Sequence, residues 1–322
     1  MRDNRKRFAL AICIALAAVL GCNGGSDVNQ ETNLAQEYLD KGDNYCEQGQ
    51  FDAAIAAYTE AIDADPDSAK AYSSRGNAYG EKGELDKAMA DFDKAIELDP
   101  DFAEVYSNRG NAYIVKGEFD KAMTDYNRAI ELDPDLAEVY SNRGNAYAGK
   151  GELDKAIADF DKAIKLDSKL AKGYNNRGYV YAVQGEIDKA IADFDKAIEL
   201  DPMYAIAYNN RGNVYNYSKN ELDKAIADYD RAIELNPMFA MAYSNRGNAY
   251  TGKGKLDNAI ADYDKAIELY PNLAFTYYAR GYSYYAKGEK VRAASDFQKC
   301  IELSDDPGLK TMAEDALKQA QK

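Results

Sequence analysis

Histidine and tryptophan are absent from this chain of 322 residues, and cysteine occurs only four times. Without histidine there is no imidazole base, no Ser-His or Cys-His nucleophile and no His-ligated metal site. The cysteines stand at positions 13, 22, 46 and 300, which form no CxxC pair and no disulfide framework. No phosphate-binding loop and no metal-ligand spacing occurs, so no cofactor is implied and the chain does not read as an enzyme. The one long apolar run, residues 8–20, is 13 residues long, short of the ~20 needed to cross a bilayer as a helix.

Positive charge is also in short supply. Lys plus Arg number 40 against 55 Asp plus Glu, for a net charge of −15. That balance repels nucleic-acid phosphates and anionic headgroups, so neither is an expected partner. It suits the solubility of a long, exposed helical surface.

The N-terminus reads as an address followed by an anchor. Arg2, Arg5, Lys6 and Arg7 precede the apolar run, which ends in Val19, Leu20, Gly21 and Cys22; the order and length are those of a signal peptide. The ending resembles the bacterial lipobox, with Leu20 standing where a smaller residue is usual. The resemblance implies a lipoprotein signal peptide over 1–21, cleavage after Gly21, and lipid on the Cys22 thiol and amine. Several acyl chains on one residue anchor firmly. A chain beginning at Cys22 carries 36 basic and 54 acidic residues, a net charge of −18. Asn23 and Gly24 follow where the family's inner-membrane retention signal has Asp, which in a Gram-negative cell favours the periplasmic side of the outer membrane. Residues 22–34, small and polar after the cysteine, are expected to form a flexible tether.

The rest of the chain repeats. Arg-Gly recurs with its glycine at 76, 110, 144, 178, 212, 247 and 281, in steps of 34, 34, 34, 34, 35 and 34. One copy carries Tyr72, Arg75, Gly76, Tyr79, Ala88, Phe92, Ala95 and Pro100; Lys41 and Gly42 mark an earlier copy with Tyr38, Tyr45, Ala54, Tyr58 and Pro66. Period and anchors resemble the tetratricopeptide repeat, with Arg where that family usually has Leu. The resemblance implies an all-α fold, an α-α superhelical solenoid of eight repeats over 35–307. Their bounds are 35–68, 69–102, 103–136, 137–170, 171–204, 205–239, 240–273 and 274–307.

Each anchor residue has a physical reason. A mid-helix glycine is unfavourable by ~0.5–1 kcal/mol relative to Ala, so Gly76 is expected where two helices pack closely. Gly83 and its equivalents close the first helices, and Asn220 takes that place in the sixth repeat, whose turn is read as one residue longer. Pro100 and its equivalents stop the second helices, with Ser168 the exception. Repeats two to eight all carry Arg on the first helix and Asp on the second, from Arg75 with Asp91 to Arg280 with Asp296; the first repeat has Lys41 and Ala57, lacking both. We infer that each Arg pairs with the Asp of its own repeat; the alternative is that the first repeat is simply an atypical end. Acidic pairs such as Asp91 and Asp93 recur identically, which argues for a solvated face over a catalytic pair. Residues 308–322 follow Asp306, a helix cap, and Pro307. They place Leu309, Met312, Ala313, Ala316, Leu317 and Ala320 on one face, as a capping helix requires.

Two patterns mark candidate partner sites. Asn108, Asn142, Asn176, Asn210 and Asn245 occupy one first-helix position, although Asn is a poor interior helix residue. The position is similar to the asparagine ladder of O-linked N-acetylglucosamine transferases, which grips peptide backbone amides; a local hydrogen-bonding role within the repeats is the alternative. No catalytic domain of that transferase is present. The preceding position holds Leu39, Ser73, Ser107, Ser141, Asn175, Asn209, Ser244 and Tyr278, not the Lys of repeats that bind chaperone tails. In the last repeat Phe275, Tyr278, Tyr282 and Tyr285 fall at helical spacing, either as partner anchors or as packing for the capping helix. The expected function is a membrane-anchored protein–protein interaction scaffold of the cell envelope that holds proteins or extended peptides in the groove. A glycan-binding module of the envelope is the alternative.

Overall fold

The computed structural model describes residues 26–322, and among these every regular element is helical, as seventeen α-helices and one short π-helical stretch. The lipobox and Cys22 lie outside the described residues. The chain divides after Pro134 into two compact units. In the N-terminal unit three helix pairs follow one another: α1 (Ser26–Glu47) with α2 (Phe51–Ala64), α3 (Ala69–Glu81) with α4 (Leu85–Leu98), and α5 (Ala103–Val115) with α6 (Phe119–Leu132). The C-terminal unit has five: α7 (Ala137–Gly149) with α8 (Leu153–Leu166), α9 (Ala171–Val183) with α10 (Ile187–Leu200), α11 (Ala205–Asn213) with α12 (Leu222–Leu235), α13 (Ala240–Gly252) with α14 (Leu256–Leu269), and α15 (Ala274–Ala286) with α16 (Lys290–Leu303). A single helix, α17 (Pro307–Ala320), closes it. Each unit is an all-α array of stacked helix pairs, the fold class that the repeat implied. α1 takes in residues 26–33 of the segment expected as a tether, since extending a helix already nucleated at Leu34 and Ala35 adds one hydrogen bond per residue fixed.

The core of each repeat is small residues around one ring. Ala88 and Ala95 are fully buried one helical turn to either side of Phe92, itself buried. A Cβ added to Gly76 would lie 2.7 Å from the Phe92 ring, so the expected close approach is made by the ring seated on the glycine. Gly83 adopts φ 76° in the turn that follows, and Asn220 adopts φ 53° in the same role.

The extra residue of the sixth repeat is not in its turn. Lys219, Asn220 and Glu221 span the gap there as Lys82, Gly83 and Glu84 do in the second repeat. The insertion is absorbed in the helix, where Val214–Ser218 is π-helical. Widening one turn keeps the helical hydrogen bonds, whereas a longer turn would shift the second helix off its glycine. Ser168 costs the fourth repeat nothing visible. The Asp167 carboxylate accepts from the Lys169 N–H at 2.9 Å, as Asp99 accepts from Asp101 at 3.1 Å, so an aspartate turn stops the helix with or without proline.

The inferred pairing is present in all seven repeats that carry it. Arg177 donates through Nε and Nη2 to both oxygens of Asp193, at 2.8 and 2.7 Å, and the same fork joins Arg75 to Asp91, Arg109 to Asp125, Arg143 to Asp159, Arg211 to Asp228, Arg246 to Asp262 and Arg280 to Asp296. These aspartates are only 4–7% exposed, so they are not the solvated face that their repetition suggested. The second aspartate of each acidic pair joins neighbouring repeats instead. Arg177 Nη1 reaches back to Asp161 of the preceding repeat at 2.5 Å, and Arg211, Arg246 and Arg280 do likewise to Asp195, Asp230 and Asp264. Tyr174 and Tyr181 flank the Arg177 guanidinium, each with its ring centroid 5.7 Å away. In the first repeat Lys41 is exposed and Ala57 buried, which removes charge and partner together.

Arg177→Leu alone leaves Asp193 buried without its partner and is expected to destabilise the protein by about 3–5 kcal/mol. Adding Asp193→Ala restores the pairless arrangement of the first repeat. In urea unfolding followed by circular dichroism the double variant should recover most of the loss; equal damage in single and double variants would contradict the pairing.

Candidate functional site

The chemistry on offer lies on one face of the first helices. Counting from the Arg-Gly glycine, the positions six and two before and one and five after fall on a single helical face. In the fifth repeat these are Lys172, Asn176, Tyr179 and Val183; in the sixth Ile206, Asn210, Asn213 and, past the π-helical turn, Tyr217. The outermost position changes character along the C-terminal unit, from Glu138 and Lys172 to Ile206, Met241 and Phe275. Those three apolar side chains are 46–49% exposed, one per consecutive repeat.

The five asparagines are not equivalent. Asn210 Nδ2 donates to Asn175 Oδ1 at 3.0 Å, and Asn245 Nδ2 to Asn209 Oδ1 at 3.0 Å, each across to the preceding repeat. Their donors are therefore spent inside the protein, and Asn245 is buried. Asn176 accepts from Asn175 at 3.1 Å, but its own Nδ2 is buried without a partner. The difference follows from the position just before the ladder: where the preceding repeat has Asn175 or Asn209 the amide is tied, and where it has Ser141 it is not. Asn108 is half-buried on α5 and lines a cleft with Asn77 and Asn111, and Asn142 is half-buried on α7.

A second asparagine position, immediately after the glycine, was not singled out by the sequence. Its role depends on the second-helix ring. Where that ring is tyrosine, the phenol donates to the side-chain oxygen at this position: Tyr126 to Asn111 at 2.7 Å, Tyr229 to Asn213 at 2.8 Å, Tyr263 to Asn248 at 2.8 Å, and Tyr58 to Asp43 at 2.7 Å. Burial pushes the Tyr126, Tyr229 and Tyr263 phenols far above their ordinary pKa, so they remain neutral donors. Where the ring is phenylalanine, at 92, 160, 194 and 297, the hydroxyl is missing and the position reads Asn77, Asn145, Tyr179 and Tyr282. Clefts open over three of these Phe repeats. One of about 400 Å³ has Asn77, Glu81, Phe92 and Val115 in its lining. Another, of about 480 Å³, has Asn145, Phe160, Asn176, Tyr179, Val183 and Ile206. The pairing of Phe with an unbonded neighbour could have been read from the sequence by comparing the copies.

The third cleft, of about 290 Å³, lies between α15 and α17 and settles how the aromatic stripe is divided. Tyr278 packs on Phe297, ring centroids 5.8 Å apart, and joins the clusters that bury Ala313 and Ala320 of the capping helix. Tyr282 and Tyr285 line the cleft with Met312, while Phe275 stands outside it, 49% exposed. Ala313 and Ala320 of α17 are buried as its apolar face requires; Met312 stays half-exposed at the edge. Among the described residues Cys46 and Cys300 are free thiols, no cluster of His, Cys, Asp or Glu could hold a metal, and no helix is long and apolar enough to cross a membrane.

Stacked helix pairs with one face left open by small polar and apolar side chains define a helical-repeat interaction protein. Sequence profiles described as TPR repeat match residues 42–83, 76–115, 110–151, 144–185 and 216–254, and tetratricopeptide repeat profiles match 171–204, 240–273 and 276–307. The chain belongs to the tetratricopeptide repeat family. Repeats of this family generally mediate protein–protein interactions, and the fold is typically a non-catalytic scaffold that binds proteins or peptides. Among solved structures, the chain is similar to one in the APC/C hetero-tetramer Cut9-Hcn1, at 22% identity and a TM-score of 0.72, covering 88% of this chain and 55% of that one. It is also similar to a tetratricopeptide repeat protein from Parabacteroides merdae, at 22% identity and a TM-score of 0.60, covering 79% and 99%. The present chain thus spans about half the length of the first. Comparison with curated protein sequences finds no match.

Asn245→Ala should break a buried tie between repeats and lower stability by about 1–3 kcal/mol. Asn108→Ala, with no such tie, should change it by less than about 0.5 kcal/mol. Urea midpoints of the two variants check this, and similar losses would mean that the ladder acts uniformly.

Proposed function

We propose that this protein is a lipid-anchored interaction scaffold of the bacterial cell envelope, holding extended polypeptide segments against the first-helix face of its C-terminal repeats. The observation that carries the reading is the succession Ile206, Met241 and Phe275, one half-exposed apolar side chain per repeat at the same first-helix position. Scattered apolar residues need no explanation, but one per repeat on the face that also exposes Tyr179, Val183 and Tyr217 is the mark of an interaction surface. Asn176, whose amide nitrogen has no internal partner, offers a donor to the backbone carbonyl of an extended chain whatever its sequence. The corresponding position in the second and third repeats holds Lys70 and Glu104, so the N-terminal unit lacks this row.

Anchoring rests on the order of basic residues, apolar run and Cys22 in the sequence. Lipid on Cys22 would fix the chain at the membrane surface while its strongly acidic repeats stay clear of anionic headgroups. In a Gram-negative cell the residues after Cys22 favour the outer membrane.

Two measurements test the two halves of this proposal. Labelled palmitate should be incorporated by the wild type and not by Cys22→Ser, which should move to the soluble fraction; lipid-free wild type in that fraction would remove the anchor. Cross-linking in intact envelopes should yield polypeptide adducts that Met241→Glu reduces severalfold, and adducts indifferent to that change would remove the groove.

A further inference from the structure

The amide ladder has an open end, and a neutral cleft lies beside it. Asn210 and Asn245 each donate to an asparagine one repeat back. One repeat before Asn176 the corresponding residue is Ser141, whose shorter side chain does not reach. Asn176 Nδ2 and Ser141 Oγ are both buried and both without a hydrogen-bond partner. A buried donor left in this state is unfavourable, and an acceptor supplied from outside would relieve it.

Asn176 is part of the lining of the cleft of about 480 Å³ over the fourth to sixth repeats, within the ordinary range for ligand clefts of roughly 300–1,000 Å³. No residue of the lining is charged. Phe160 is fully buried, while Tyr179, Val183 and Ile206 are 46–56% exposed. Asn145 lacks the phenol that holds its counterparts at 111, 213 and 248, because the fourth repeat has phenylalanine at that place. The related cleft of the N-terminal unit includes Glu81, so the two do not share one chemistry.

We propose that this cleft is a subsite for a bulky apolar side chain of an extended, uncharged polypeptide segment, with Asn176 Nδ2 donating to a backbone carbonyl next to that side chain. The proposal rests on the scaffold reading above and gives it a specificity. Val183 and Ile206 are aliphatic and offer a sugar no hydrogen bond. Without a cation in the lining, a carboxylate or phosphate entering the cleft would lose its water with nothing in exchange. Asn145, free of an internal phenol, is placed to meet a second amide of the same segment.

The test uses the purified full chain and short labelled Gly-Ser peptides whose central residue is Leu, Phe, Ala, Asp or Lys, followed by fluorescence anisotropy. A further Leu peptide carries an ester in place of the amide after Leu, which makes the Leu carbonyl a weaker acceptor. Leu and Phe peptides should bind at least about tenfold more tightly than the Asp peptide, and Ile206→Glu should remove that preference while leaving the melting temperature unchanged, since Ile206 is half-exposed. The ester should weaken binding to the wild type about fivefold and have no effect on Asn176→Ala. Equal binding of Leu and Asp peptides, an ester effect that persists in Asn176→Ala, displacement of the Leu peptide by N-acetylglucosamine oligomers, or no binding of any peptide would each overturn the subsite. If the subsite fails while envelope adducts still depend on Met241, the scaffold reading stands without it; if both fail, that reading falls too.

Discussion

The guanidinium of each repeat from the second to the eighth, forked onto a buried aspartate beside tyrosine, is the constraint on which the rest of the structure depends. Most tetratricopeptide arrays put an apolar side chain at this place, where packing tolerates small slips. A bidentate pair does not, because both N–H groups must meet both oxygens in one plane. Within the C-terminal unit the free Nη1 of Arg177, Arg211, Arg246 and Arg280 also reaches the aspartate two residues beyond the buried one in the preceding repeat. One side chain thereby sets the register inside its repeat and the step to its neighbour. A buried ion pair adds little net stability over an apolar contact of the same volume, and geometry is the better account of what it contributes.

That arrangement occupies the side of the first helices where the ring-flanked arginines lie, and it leaves the opposite face to function. On that face the second-helix ring decides whether the residue after the glycine is tied. A tyrosine ties the residue after the glycine, as Tyr229 ties Asn213. A phenylalanine, with the same fit against the glycine but no hydroxyl, leaves Asn77 and Asn145 without that partner and a cleft above the ring. One oxygen atom thus separates asparagines tied by a phenol from those without that partner among repeats that otherwise look alike.

The fold was legible in the sequence because a repeat of 34 residues multiplies weak signals. A single glycine in a helix says little; seven at steps of 34 or 35, each followed by an alanine and an aromatic residue at a spacing that only the sixth repeat lengthens, define a helix pair. The Arg–Asp pairing was legible for the same reason, since the first repeat lost both members together. The copies also misled. Identical acidic pairs looked like a solvated face, although one aspartate of each pair is buried, because burial depends on which residue the arginine of another helix reaches. The extra residue of the sixth repeat was legible as a number and not as a place.

Sequence alone therefore determined the repeat, the helix boundaries set by Gly83 and its counterparts, and the partner of each arginine; the proposed anchor at Cys22 rests on sequence as well. These follow from local periodicity and from residue types whose conformational or chemical preferences are strong. Tertiary structure decided which asparagines remain available, where the inserted residue widens a helix, and how the aromatic stripe divides between the capping helix and solvent. Each of those turns on a contact between separate helices, such as Asn245 with Asn209, where the reach of one side chain settles whether an amide is structural or free.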